Sequence, residues 1–242
     1  MNLDVMQRFP NQNAEHRPEE CTCETITDIL ANLYKRPFDS GFNYGATFDL
    51  LGLTPADAGL PMNAVFYAQC YRGSLPLEDK SFDALSASEL MEANFAAYTP
   101  EQKTIALAYR QQGIVNVNTY AEVQWALSTF LRGVGLSMAW FESFDNPNPD
   151  GTLPMPSGAV SGHMVACYED TPLGLRIKPW IGPNYGVGGY AFVPKKVFDS
   201  VVTGGVLFNP SASQIVTNLY ITYYRLQAIF NQLYARSLPK SS

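Results

Sequence analysis

Three residues of the sequence, Gln12, Cys21 and His163, are of the types that acyl transfer by a thiol requires. A thiolate at a helix N-terminus is stabilised by the unsatisfied N–H groups and the helix dipole, which lower its pKa. A histidine from another element can hold the thiolate as an ion pair and later protonate the leaving amine. A side-chain amide upstream of the cysteine can donate a hydrogen bond to the developing oxyanion. The set therefore suits amide hydrolysis, with Cys21 as nucleophile, His163 as base and Gln12 as oxyanion donor.

Cys21 opens a segment with the spacing of an amphipathic helix. The apolar positions follow one another at the offsets of a single helical face and are Ile26, Ile29, Leu30, Leu33 and Tyr34. This pattern predicts a buried helix over residues 21–36, which Pro37 ends because proline cannot continue it. The helix would place the Cys21 thiol at its positive end.

Helices are predicted before strands along the chain. Thr99 and Thr119 each begin a capping pattern, and the two helices would run to Gly113 and Gly133. From residue 135 onward the residue pattern changes to short apolar or alternating runs, which are LSMAWFESF, HMVACYED, GLRIKPWI and YAFVPKKVF. These runs predict antiparallel strands, with 145–158 as a polar loop between two of them. The order of elements indicates an α+β fold.

Several stretches resemble the papain-like cysteine peptidases, in the compact bacterial and phage type without a propeptide. They are NQ and CT before the first helix, YAEVQWALSTFLRGVGLSMAWFESF, and GHMVACYED followed by GLRIKPWIGPNYGVGGYAFVP. The resemblance implies a helical half packed on an antiparallel strand half, with a cleft between them, in a domain spanning residues 1–209. It implies a peptide or protein substrate, the same roles for Gln12, Cys21 and His163, and substrate contacts at Gly162 and Trp180.

Position 179 departs from the pattern of that family. The family has an asparagine there, which accepts the histidine proton and fixes the imidazole, whereas this chain has Pro179. Proline has no side-chain oxygen and no backbone N–H, so we predict that His163 lacks an orienting group and that activity is weak. Glu19, Glu20 and Glu24 also place negative charge around the Cys21 thiol, which would raise its pKa.

Two other interpretations fit the same residues. The first is a zinc site, for which Cys21, Cys23, His163 and Cys167 would supply three sulfurs and one nitrogen. The second is a catalytically degenerate papain fold, used as a structural or peptide-binding component of an assembly such as a phage virion or tail. Pro179 and the surrounding glutamates favour this second interpretation. The peptidase chemistry itself needs neither a cofactor nor a metal.

The composition restricts the partners. The net charge is −6 and the basic residues are scattered, which argues against nucleic-acid binding because that needs a concentrated positive face. No apolar run is long enough to cross a bilayer, and the N-terminus does not resemble a secretion signal. We therefore expect a protein of the cytoplasm, or of a particle such as a virion assembled there. The four cysteines are accordingly expected to be thiols and not disulfides.

Residues 210–242 are predicted to form a C-terminal amphipathic helical extension. Its heptad-like seam consists of Ile215, Leu219, Thr222, Leu226, Ile229 and Leu233. An apolar stripe of this length must be covered, either by the parent domain or by another subunit. The second outcome would make the segment the interface of a homo- or hetero-oligomer, with which its tyrosine content is consistent.

Overall fold

The computed structural model describes residues 21–53, 60–76, 95–130 and 133–208. These ranges contain six α-helices and six β-strands, as well as short 3-10 helices at Phe95–Ala97 and Glu142–Asp145. In chain order the elements are α1 (Cys21–Tyr34), α2 (Ser40–Leu51), α3 (Met62–Arg72), α4 (Pro100–Leu107), β1 (Ile114–Val117), α5 (Tyr120–Phe130), β2 (Val134–Phe141), β3 (Val160–Thr171), β4 (Gly174–Lys178), β5 (Ala191–Val193), α6 (Lys195–Val201) and β6 (Val202–Phe208). Gln12 and the segment 210–242 lie outside the described residues, so their roles and the domain division at 209 stay predictions.

The predicted Cys21 helix is confirmed as α1. It is described over Cys21–Tyr34 and ends just before the predicted end at residue 36. Ile26, Ile29 and Leu30 are buried, as predicted, whereas Leu33 is half-buried and Tyr34 is 38% exposed. The chain leaves the helix through Lys35, whose φ of 58° lies in the left-handed region, ahead of the proline that stops it.

Helix α2 was not predicted, because its sequence has no polar stripe. All of its residues except Asp49 are buried, so the period of 3.6 that marks a surface helix is absent. Its start is nevertheless specified locally, since the Asp39 carboxylate accepts a hydrogen bond from the Phe42 N–H at 3.0 Å. Helix α3 follows over Met62–Arg72.

The two capping patterns are confirmed. At the start of α4, the Thr99 hydroxyl accepts from the Gln102 N–H and the Gln102 side chain accepts from the Thr99 N–H. At the start of α5, Glu122 and Thr119 make the same reciprocal pair. Helix α4 is shorter than predicted, because it ends at Leu107 and Gly113 lies in the loop that follows. Helix α5 is described as far as Phe130, and residues 131–132 lie outside the described ranges.

The six strands form one sheet in the order β1-β6-β2-β3-β4-β5, and every pairing is antiparallel. This confirms the α+β layout.

One part of the strand prediction is wrong. The run YAFVPKKVF contains only the short strand β5, because Pro194 then serves as the N-cap of α6. Strand β6 follows directly and inserts between β1 and β2, a long-range pairing that no local pattern announces.

Two apolar cores lie on opposite faces of β3, since alternate residues of a strand point to opposite sides. Met164, Ala166 and Tyr168 pack with α1, α2 and α3, whereas Val165 and Cys167 pack with α5 and α6. The helical half is therefore packed on the strand half, as predicted. The approach is close: a Cβ at Gly135 of β2 would overlap the Met164 Cε and lie 2.9 Å from a ring carbon of the α3 residue Phe66.

All four cysteines lie within the described ranges, and none of them forms a disulfide. Among the helices of those ranges, none combines the length and the apolar character needed to span a membrane.

Candidate active site

Cys21 is the first described residue of α1, and its side chain is half-buried. The other three cysteines, Cys23, Cys70 and Cys167, are completely buried. Cys21 is therefore the cysteine placed to react with an external molecule.

Helix α1 packs against the strand that carries His163. Cys21 contacts the core cluster that includes Met164, the chain neighbour of His163 on β3. Further along the helix, the buried carboxylate of Asp28 accepts a hydrogen bond from the Tyr168 hydroxyl of the same strand. The structure thus joins the helix of Cys21 to the strand of His163 over two turns of helix.

His163 has a definite hydrogen-bond partner, the backbone carbonyl of Pro179. The distance from His163 Nε2 to the Pro179 oxygen is 2.8 Å. A carbonyl oxygen can only accept, so Nε2 must carry the proton and donate it. In the neutral imidazole, Nδ1 then holds the lone pair and is the basic nitrogen.

The prediction that Pro179 leaves His163 without an orienting group is therefore wrong. Proline lacks a side-chain oxygen and a backbone N–H, but it retains its backbone carbonyl, which the prediction overlooked. An asparagine oxygen and a peptide oxygen are both amide oxygens and accept in the same way. The backbone at residue 179 supplies the acceptor that the family takes from a side chain.

The chain turns sharply just after this carbonyl. Strand β4 ends at Lys178, and Trp180 has a φ of 60°. A left-handed conformation is unfavourable for a residue with a side chain and is uncommon outside glycine and asparagine. Trp180 is buried, with 3% of its surface exposed, and the Lys178 ammonium lies 4.0 Å from the centre of its ring.

Lys178 also forms a buried ion pair with helix α1. Its Nζ lies 3.0 Å from Asp28 Oδ1, and neither partner is in open contact with solvent. Burial raises the pKa of Asp28, while the Lys178 charge and the Tyr168 hydrogen bond act in the opposite direction. Burial and the neighbouring Asp28 raise the pKa of Tyr168 well above its usual value, so it remains a hydrogen-bond donor.

Trp140 of β2 covers His163. The two ring centroids are 5.0 Å apart with an edge-on interplanar angle of 73°, and the indole N–H donates to Asp145 Oδ1 at 2.9 Å. Burial lowers the pKa of His163, which the Pro179 carbonyl and the Asp145 charge partly oppose. Trp140 was not singled out in the sequence. Trp140 lies two residues from Met138, and Met138 is the cross-strand partner of His163. The position of Trp140 beside His163 therefore follows from the pairing of β2 with β3.

The predicted substrate-contact residues differ in exposure. Gly162, next to His163, is exposed, and a Cβ built there would have no heavy atom within 4 Å. Space for a ligand is therefore available at this position. Trp180 is almost fully buried against Lys178, which leaves little of its ring for a substrate. Direct substrate binding by either residue stays a prediction.

The glutamates named from the sequence are only partly described. Glu19 and Glu20 lie outside the described ranges, whereas Glu24 lies in the first turn of α1 and is buried. A carboxylate in this turn interacts favourably with the helix dipole, although it also repels a thiolate at the same end.

The zinc interpretation finds no support. Its donors, Cys21, Cys23, His163 and Cys167, all lie in the described part of the chain. In that part, no three histidine, cysteine, aspartate or glutamate side chains are grouped so that they could hold a metal ion. Cys23 and Cys167 instead belong to different apolar cores.

Solved structures of cysteine proteases share this architecture. Xylellain, a cysteine protease from Xylella fastidiosa, is 16% identical with a TM-score of 0.62, over 78% of this chain and 79% of that chain. The Carica candamarcensis cysteine protease CMS1MS2, in complex with E-64, is 12% identical with a TM-score of 0.60, over 85% of this chain and 95% of that chain. Procathepsin B S9 from Trypanosoma congolense is 9% identical with a TM-score of 0.63, over 87% and 74%.

The fold is papain-like. At identities this low the likeness establishes the architecture, and the activity has to be argued from the residues. No protein-family model matches the sequence, and a comparison with curated proteins gives no match either.

Proposed function

We propose that the chain is a cysteine peptidase-type hydrolase that cleaves peptide bonds with Cys21 as nucleophile and His163 as base. The observation that carries this proposal is the 2.8 Å hydrogen bond from His163 Nε2 to the Pro179 carbonyl. It fixes the tautomer in which Nδ1 can take a proton from a thiol. Cys21 is the proposed nucleophile because it is half-buried, whereas the other three cysteines are completely buried.

In the proposed reaction, His163 Nδ1 takes the Cys21 proton and the thiolate sulfur attacks the carbonyl carbon of the substrate. The resulting oxyanion is stabilised by N–H groups at the start of α1 and by the Gln12 amide. The imidazolium then protonates the leaving amine as the C–N bond breaks, which leaves a thioester on Cys21. Water, deprotonated by His163, hydrolyses the thioester and restores the thiol.

The alternative is a papain fold that has lost its chemistry and serves as a structural or peptide-binding part of an assembly, such as a phage virion or tail. One described feature favours it, which is the buried Glu24 in the same helical turn as Cys21. Negative charge there opposes formation of the thiolate. The two proposals differ in whether the Cys21 thiol is activated at a pH where ordinary thiols are not.

The deciding experiment is the pH dependence of Cys21 alkylation by iodoacetamide, followed by mass spectrometry. An ordinary thiol, with a pKa of about 8.5, is less than ~1% ionised at pH 6. If His163 holds the thiolate, the rate at pH 6 should stay within about tenfold of the rate at pH 8.5, and His163→Ala should remove that acidic reactivity. Cys70→Ala is the matched control and should change nothing.

Peptidase activity itself is tested with a mixture of unstructured peptides, and with E-64, the compound bound in the Carica structure. Hydrolysis should disappear in Cys21→Ala and be blocked by E-64. If Cys21 reacts at pH 6 no faster than a thiol with a pKa near 8.5, and no peptide is cut, the peptidase proposal is wrong and the structural alternative stands.

A further inference from the structure

The conformation of Trp180 bears directly on the His163 hydrogen bond. Trp180 is one of two non-glycine residues in the described ranges with a positive φ, the other being Lys35 at the end of α1. The peptide unit between Pro179 and Trp180 contains the carbonyl that His163 contacts. The direction of that carbonyl is set by the torsions on either side of the unit, and φ of Trp180 is one of them.

The left-handed region costs a residue with a side chain free energy, so contacts that hold the residue there offset that cost. Trp180 is held by burial of its ring, which is 3% exposed, and by the Lys178 ammonium 4.0 Å from the ring centre. A desolvated cation over an indole face is among the stronger contacts of this kind. The contact is part of a longer series, because Lys178 is itself fixed by Asp28 at 3.0 Å.

Asp28 completes a connection between the two halves of the candidate site. It lies seven residues after Cys21 in α1, which is about two helical turns and therefore the same side of the helix. Its carboxylate is fully buried and contacts both Lys178 of β4 and Tyr168 of β3. The helix of the nucleophile is thus tied to the segment that orients the base.

We propose that Asp28, Lys178 and Trp180 are positioning residues that aim the Pro179 carbonyl at His163 and hold the Cys21 helix against it. They fix the direction of a backbone carbonyl, as packing around an asparagine side chain would fix the direction of its amide oxygen. This inference rests on the proposed function, since positioning matters to catalysis only if His163 acts as the base. Its structural content, control of the His163 tautomer, is measurable without any activity.

The first test compares Trp180→Ala with Trp180→Gly. Both variants lose the ring, but only alanine keeps the cost of a positive φ, since glycine adopts it freely. The histidine ring nitrogens are observed by 15N NMR; the chain has only two histidines, and His16→Gln assigns the other signal.

We expect the wild type and Trp180→Gly to show the Nε2–H tautomer. Trp180→Ala should show a mixture of tautomers and a loss of about tenfold in Cys21 alkylation at pH 6. If Trp180→Ala keeps the single Nε2–H tautomer, Trp180 does not aim the carbonyl and the proposal is overturned. Loss of the tautomer in both variants would support the proposal and would mean that the ring holds the carbonyl, whatever φ the residue prefers.

The second test covers the case in which Trp180→Ala fails to fold. The double variant Asp28→Asn, Lys178→Met removes both charges while keeping the volume and the Trp180 ring. A folded double variant should again show mixed tautomers and slower Cys21 alkylation at pH 6. An unchanged tautomer in the folded double variant would exclude Asp28 and Lys178 as positioning residues.

The outcomes separate this inference from the proposed function. If wild-type Cys21 shows no acidic reactivity, the peptidase proposal fails, yet the tautomer still reports whether the three residues aim the carbonyl. If Cys21 is reactive and the tautomer does not respond to Trp180, the peptidase proposal survives and only the positioning inference is refuted.

Discussion

Removal of either partner of the Asp28–Lys178 pair should destabilise the protein far more than removal of both. Asp28 is fully buried and the Lys178 side chain is 10% exposed. Lys178→Met would leave a carboxylate in the interior without its cation, which typically costs about 3–5 kcal/mol. In the double variant Asp28→Asn, Lys178→Met, no charge is buried, and the amide oxygen introduced at position 28 can still accept from the Tyr168 hydroxyl. Its stability should lie within about 1 kcal/mol of the wild type.

Urea unfolding followed by tryptophan fluorescence measures these free energies, and a thermal scan provides a second readout. For a chain of this size each kcal/mol shifts Tm by roughly 2–4 °C, so Lys178→Met should lower Tm by about 6–20 °C. Lys195→Met is the matched control. Lys195 pairs with Asp199 on the surface, where both side chains are more than half exposed, so this change should cost less than about 1 kcal/mol.

The acid dependence gives a further check with a defined sign. Burial raises the pKa of Asp28, and Lys178 opposes that rise, so Lys178→Met should raise the pKa further. A carboxyl whose pKa is higher in the folded state than in the unfolded state destabilises the fold above the unfolded value and ceases to do so below it. The deficit of Lys178→Met should therefore be smaller at pH 4 than at pH 7. Equal costs for Lys178→Met and Lys195→Met, or simple additivity in the double variant, would refute the reasoning.

Two further predictions concern the histidine and its acceptor. Burial lowers the pKa of His163 below its usual 6.5, so its contribution to stability is complete above that pH and is lost as the pH falls toward the folded-state value. In a Cys21→Ala background, urea unfolding should show that stability falls as the pH is lowered from 7.5. The fall should be smaller when His163→Gln is added, and an equal fall in both proteins would contradict this role of His163. Pro179→Ala keeps the carbonyl, so the Nε2–H tautomer seen by 15N NMR should persist, whereas a loss of that tautomer would mean that the proline ring itself is required.

Local signals predicted the parts of the fold that local chemistry determines. The capping pairs at Thr99 and Thr119 depend on residues a few positions apart, and the structure confirms both. Helix α2 was missed because burial on all sides removes the polar face that a periodicity search requires. Strand β6 was missed for a different reason: its place between β1 and β2 is a tertiary choice that the sequence of the strand does not encode by itself.

The candidate site was predictable as far as side-chain types specify it. Cys21 and His163 could be named because nucleophile and base must be particular residues, whereas the acceptor for the imidazole need only be an oxygen. Every residue carries such an oxygen in its backbone, so the type of residue at 179 could not reveal it. Trp140 escaped notice because its contact with His163 depends on the register of β2 and β3.

A backbone acceptor changes which substitutions matter. When an asparagine side chain orients the base, the identity of that one residue decides the outcome. Here the carbonyl exists whatever residue stands at 179, and its direction depends on the turn that Trp180 makes beside it. The constraint therefore moves to the groups that keep Trp180 in place, Lys178 and, through it, Asp28 on the nucleophile helix. Loss of the asparagine is for this reason a poor sign of lost activity in this chain, and loss of the Lys178–Asp28 pair would be a better one.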